Sequence, residues 1–196
     1  SLAPLMDDPD RPVFLHLSTT SVYPSDFTAE REDGLPTQDE DTPLGPNSDR
    51  AKDRRVLEQA IISTYAEARI LRCGGIYGPG RCVATRFRDG DFSRTGSGNR
   101  MVTRIHVHDL CRLILAFGAA GADIGTATVN AVDERSSSNR ETFGHLETVL
   151  GVTVPGEWRT AQPVGRRVVS RFTAGLLDGG YRFPTYREGF ADCLGI

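Results

Sequence analysis

Two short apolar runs, each closed by a cluster of small residues, constrain the fold of this chain more than any other feature. Val13-Phe14-Leu15-His16-Leu17-Ser18 leads into the hydroxyl cluster Thr19-Thr20-Ser21. Ala68-Arg69-Ile70-Leu71-Arg72-Cys73 leads into the glycine-rich turn Gly74-Gly75-Ile76-Tyr77-Gly78-Pro79-Gly80. Runs of this length, without strict alternation, suit strands covered on both faces, as in a parallel sheet. Between them, residues 47–66 carry a helical pattern with Val56, Leu57, Ala60, Ile61 and Tyr65 on one face. Strand, helix, strand in this order predicts an α/β fold.

The rest of the chain continues the alternation. A third strand is expected at Arg104-Ile105-His106-Val107, followed by a helix from a capping Asp109 to about Phe117. On that strand His106 and His108 would face opposite sides, so the pair would share no metal. A fourth strand is expected at Thr126 to Ala131, then a helix from about Asn139 to Leu150 that stops at Gly151. A short strand near Trp158 and helices at 170–177 and 185–194 complete the reading. Residues 24–46, rich in Pro, Asp and Glu, read as a long surface loop, and residues 80–103 as a second. The division expected is a core at 1–131 and a smaller subdomain at 132–196.

Composition excludes several classes of function. The 196 residues are 38% hydrophobic and 25% charged, with a net charge of −3. That balance offers no electrostatic reason to expect nucleic acid. No run is long and apolar enough to span a membrane. Ser1-Leu2-Ala3-Pro4 lacks the basic and apolar regions of a signal peptide, and the missing initiator Met fits a processed or excised chain. The four cysteines have no C-x-x-C spacing and no nearby His pair, so no metal site is expected. Reduced thiols in a reducing compartment, cytoplasm or organelle matrix, are expected instead.

Ser18-Thr19-Thr20-Ser21-Val22-Tyr23, followed by Ser48-Asp49-Arg50-Ala51-Lys52 at a helix start, resembles the extended short-chain dehydrogenase/reductases of the sugar-nucleotide epimerase type. Arg72 to Gly80 is similar to that family's Arg-Pro-x-x-x-Tyr-Gly-Pro-Gly segment. Arg104 to Leu110 is similar to its Ile-His-Val-x-Asp-Leu motif, and Asn130 to the Asn that ends its late strand. The tail Tyr181-Arg182-Phe183-Pro184-Thr185-Tyr186-Arg187-Glu188-Gly189-Phe190 resembles an atypical bacterial-type branch, which tends to carry Ser where Ser48 stands. The resemblance implies the second half of a Rossmann-type, doubly wound parallel sheet with a small α+β substrate-type subdomain. It places the chain's start near the family's fifth strand. No Gly-x-Gly-x-x-Gly or Gly-x-x-Gly-x-x-Gly precedes the first strand, and Pro79 argues against Gly74 to Gly80 as a phosphate cradle.

The resemblance also implies candidate residues. Thr19, Ser48 and Lys52 occupy the catalytic positions. Ser18, Lys52, Cys73, Gly74, Gly75 and Ile76 occupy positions that approach NAD or NADP. The family's acid/base at the place of Ser48 is a Tyr, whose phenol the Lys ammonium brings toward working pH. Spacing of i to i+4 sets Ser48 and Lys52 on one helix face, but an aliphatic hydroxyl is a far weaker acid than a phenol. Each residue also has a plainer role: Thr19 as a strand-end hydroxyl, Ser48 as a helix cap, Lys52 as a solvated lysine. Tyr23 and Tyr77 are expected to pack, while Arg104, Arg166 and Arg167 could hold a substrate phosphate. The expected function is a degenerate, non-catalytic subunit of a larger complex. The alternative is an NAD(P)-dependent oxidoreductase or epimerase acting on a small carbonyl or sugar-nucleotide substrate.

Overall fold

The computed structural model describes residues 13–65, 67–120 and 126–196. The expectation for Ser1 to Pro4 and the last residue of the helix predicted over 47–66 lie outside them. Among the described residues nine strands form: β1 Leu15–Thr19, β2 Thr37–Gln38, β3 Arg69–Cys73, β4 Gly75–Tyr77, β5 Met101–Val102, β6 Arg104–His106, β7 Thr128–Ala131, β8 Ser137–Ser138 and β9 Arg167–Val168. The helices are α1 Asp49–Thr64, α2 Val83–Arg88, α3 Val107–Ala119, α4 Asn139–Leu150, α5 Thr173–Leu176 and α6 Tyr186–Leu194.

The central sheet is parallel, in the order β1-β3-β7. Leu15 pairs with Arg69 and Thr19 with Cys73, while Ile70 pairs with Thr128 and Cys73 with Ala131. All five residues of β3 are buried, as expected of a strand covered on both faces. Leu71, Cys73, Val129 and Ala131 pack against Leu110, Leu113 and Phe117 of α3. The other face packs Ile70 against Ala68 and Ile61 of α1. The fold is α/β with a parallel sheet and helices on both faces. β1 is the edge strand, with no partner on its outer side among the described residues, and Leu17 there is 41% exposed.

A second core lies among α2, α4 and α6, where Phe87, Phe143, Leu146, Tyr186 and Phe190 meet. Gly151 ends α4 with φ +64, a left-handed cap that glycine adopts without a Cβ penalty. Thr185 and Glu188 form a reciprocal capping box at the start of α6.

The structure corrects several local expectations. Residues 24–46 are not a free loop. β2 runs parallel to β9, and Phe27, Ala29, Glu40 and Asp41 bond to Gly165, Pro163, Ser170 and Arg171. The turn after β3 contains strand β4, which pairs with β6, so the glycines there serve strand contact. A Cβ on Gly74 would stand 3.1 Å from the Arg104 backbone. No strand forms at Trp158, because that segment makes only isolated bridges at Gly156 and Thr160. The cap of α3 is His106, whose Nδ1 accepts the His108 N–H at 3.2 Å. His108 therefore lies in a helix and not on a strand. Asp109, buried in the first turn, accepts the N–H groups of Arg182 and Phe183 instead. On α1, Val56 and Leu57 are exposed, and the buried stripe is Ala51, Glu58 and Ile61.

Candidate active site

The carboxyl end of β1 breaks into a 3-10 turn at Thr20–Val22, and Thr19 caps it. Its Oγ1 accepts the Ser21 N–H at 3.2 Å and lies 3.0 Å from Ser21 Oγ. The same side chain opens onto a cleft of about 340 Å³, lined by Leu17, Ser18, Thr19, Ser21, Arg50 and Arg54. Neither Ser48 nor Lys52 lines it.

Ser48 is the N-cap of α1, in extended conformation, and its Oγ accepts the Ala51 N–H at 3.3 Å. The hydroxyl thus satisfies a donor that the first helical turn leaves unpaired. Lys52 Nζ lies 2.9 Å from Asp49 Oδ1 on a side chain that is 61% exposed. Helical spacing places Ser48 and Lys52 one turn apart, yet each is engaged locally.

The remaining candidates divide by burial. Ser18 Oγ donates to Glu58 Oε1 at 2.5 Å, inside the fold. Cys73 is a core side chain whose thiol donates to the Leu71 carbonyl, and burial pushes the thiol up to about 12. Gly74 is fixed by the approach of β4 to β6. Gly75 is exposed, and Ile76 is half-buried against the α3 core. Of the three arginines, Arg104 is buried and donates to Ser137 Oγ at 2.8 Å. Arg167 binds the carbonyls of Leu35 and Glu32 in the β2–β9 seam. Arg166 donates to the Thr20 carbonyl at 2.7 Å, its buried Nε has no hydrogen-bond partner, and burial lowers its guanidinium from the usual range.

The residues that the motifs overlooked form a buried polar row. Ser18, Arg72 and Asn130 stand side by side on β1, β3 and β7. Glu58 reaches down from α1 to Arg72 at 2.8 Å, with both side chains buried. Arg72 Nη1 donates to Tyr23 Oη at 2.9 Å, and Tyr23 Oη donates to Asn130 Oδ1 at 2.9 Å. Desolvation pushes the Tyr23 phenol up, so it is no substitute acid at neutral pH. Tyr77 is likewise packed, edge-on to His106 and Phe190, and pushed up by burial. The signal for the row was Arg72 within a strand that also carries Arg69, while Glu58 gave none, because the helical pattern set it off the apolar face.

The model of the NAD dependent epimerase/dehydratase family matches residues 2–131. The chain belongs to this family. Among solved structures it resembles a functionally unknown conserved protein from Silicibacter pomeroyi, with 25% identity and a TM-score of 0.74. That match covers 92% of this chain and 65% of the other. It also resembles dTDP-glucose 4,6-dehydratase from Bacillus anthracis in complex with NAD, at 20% identity and a TM-score of 0.75, over 99% of this chain and 64% of that one. A third is UDP-glucuronic acid 4-epimerase from Bacillus cereus with UDP-glucuronic acid and NAD, at 18% identity and a TM-score of 0.70, over 91% and 59%. The chain therefore spans less than two thirds of the length of each. The comparison with curated proteins finds no match. Among the described residues no helix is long and apolar enough to cross a membrane.

Proposed function

We propose that this family member keeps the frame of a sugar-nucleotide site without its proton-transfer group, and acts as a non-catalytic subunit of a larger assembly. One observation carries the reading. The position that the family gives to a phenol holds Ser48, whose hydroxyl is committed to capping α1. The neighbouring ammonium, Lys52, is engaged by Asp49 in solvent. Among the described residues, no His, phenol or carboxyl group lines the cleft beside Thr19. General acid/base chemistry needs a titrating group within hydrogen-bond reach of the reacting oxygen.

The residues fit NAD in part. Lys52, Gly75 and Ile76 would hold its nicotinamide-ribose end, with Thr19 placed to orient a substrate oxygen. Ser18, Cys73 and Gly74 have internal roles that account for them, and the hydride chemistry NAD supplies would lack an acid on this chain. Of Arg104, Arg166 and Arg167, Arg166, short of a partner at Nε, is best suited to a substrate phosphate. The assembly role draws support from Val56, Leu57 and Ile62, which α1 exposes.

The test is native mass spectrometry of the protein from its own source, together with turnover assays using NAD and UDP-glucuronic acid. A cofactor-free chain found within a larger complex, and inactive alone, is the expected result. Turnover by the wild-type protein that is lost in Lys52→Ala would overturn the reading.

A further inference from the structure

We propose that a cleft beside the second core binds a free α-amino acid with an aromatic side chain, its carboxylate on Arg140 and its ammonium on Glu157. The cleft, of about 470 Å³, opens between α4 and the segments at 94–98 and 156–160. Those segments run side by side through bridges at Arg94–Gly156 and Ser97–Thr160. None of the residues lining it belongs to the Thr19 cleft or to the positions assigned to NAD.

The floor is aromatic. Phe143 is buried and held edge-on by Phe87 and Phe92, and Trp158 lies against it with ring centroids 5.0 Å apart. Trp158 is only half-buried, so it keeps indole surface for a ligand ring. Gly98 seats the indole beside the guanidinium: a Cβ there would stand 2.9 Å from Trp158 Cγ and 3.1 Å from Arg140 Nη2. Gly144 keeps the space above α4 clear. It stands in the middle of the helix, where glycine is a poor choice, and a Cβ on it would meet nothing within 4 Å.

Charge selects the ligand class. Among the described residues, two cations and two anions line the cleft. Arg94 and Glu147 are paired at 2.5 Å, and Glu147 also accepts the Val154 N–H at 2.8 Å, so those two charges are satisfied within the fold. Arg140 and Glu157 both line the cleft, yet neither has an ion-pair partner among the described residues. Arg140 Nε donates to Asn99 Oδ1 at 3.1 Å, which orients the guanidinium and leaves its two Nη groups for a carboxylate. One open cation and one open anion beside an aromatic floor match a zwitterion that carries a ring. A purely anionic ligand would leave Glu157 without a counter-charge, and a purely cationic one would leave Arg140.

Trp158 is the chain's single tryptophan, so its fluorescence reports on the cleft directly. The experiment titrates the full chain with L-phenylalanine, followed by that fluorescence and by calorimetry. Three further probes each lack one feature: N-acetyl-L-phenylalanine the ammonium, L-phenylalaninamide the carboxylate, and L-alanine the ring. L-Phenylalanine binds most tightly and shifts the emission. Loss of either charge weakens binding about fivefold, the scale of one partly exposed ion pair. Arg140→Gln erases the preference over the amide, and Glu157→Gln the preference over the N-acetyl form. Gly144→Leu fills the cleft from a position where a helix favours leucine, so binding is lost while the thermal midpoint holds or rises. The proposal fails if L-phenylalanine moves neither the fluorescence nor the heat, if the N-acetyl form or the amide binds as tightly as the free amino acid, or if Gly144→Leu binds as the wild type does.

Discussion

The polar row Ser18–Arg72–Asn130 and the trio Thr19–Ser48–Lys52 share strand β1 and helix α1, yet they are built in opposite ways. The row is buried, spans three strands, and joins residues far apart in sequence, such as Tyr23 and Asn130. The trio lies at the surface, and each member bonds within three residues of itself. Removing one partner from a buried charge pair strands the other in a medium that solvates it poorly, whereas an exposed pair hands its charge back to water. Polar residues in this chain therefore carry structural weight under the sheet and little of it where the family keeps its chemistry.

Mutations can break that contrast. Glu58→Ala leaves Arg72 buried and unpaired, and should cost about 3–5 kcal/mol, read as a lowered urea midpoint. A small effect there would mean that the row is wet and adaptable. Next, Tyr23→Phe removes the hydroxyl between Arg72 and Asn130, and should cost about 1–3 kcal/mol by the same assay. Ser48→Ala should cost about 1 kcal/mol and Ser48→Gly a few tenths, the pattern of a helix cap. Equal losses for the two would speak against the cap. Lys52→Ala should stay within about 0.5 kcal/mol, since its ion pair is exposed. A larger loss would show that Lys52 does more than its contact with Asp49 accounts for.

A further carboxyl belongs with the buried class. Burial pushes Asp133 up to about 8 from 3.8, with Arg104 pulling the other way. A raised carboxyl pKa means that the folded state holds a proton which the unfolded state has lost. Stability from this group is full below about pH 4 and is lost as pH rises through about 8. Urea midpoints measured across that window should fall, and Asp133→Asn should flatten the fall.

How much of this was legible follows from range. The strands at 15–19 and 69–73, the α4 boundaries with their Gly151 stop, and the last helix near 185–194 are written in local pattern. Family membership was legible from motifs in order. The buried stripe of α1 was not, because Glu58 counts as polar until Arg72 lies opposite it, and Val56 and Leu57 count as core until the sheet sits elsewhere. His108 was misread for a related reason: the helix is capped by His106, three residues before the expected Asp109. The Arg50 and Arg54 cleft was also illegible, since only the register of α1 on β1 brings them beside Thr19.

The seam between residues 27–41 and 163–171 has a consequence for how the chain is made. Glu40 must wait for Ser170, 130 residues later. At ribosomal rates of about 5–20 residues per second, that is a delay on the order of ten seconds. During it, the segment is exposed with no strand to pair. Its Pro, Asp and Glu residues suit that interval, because they resist mispairing with other chains while the partner is still being synthesised.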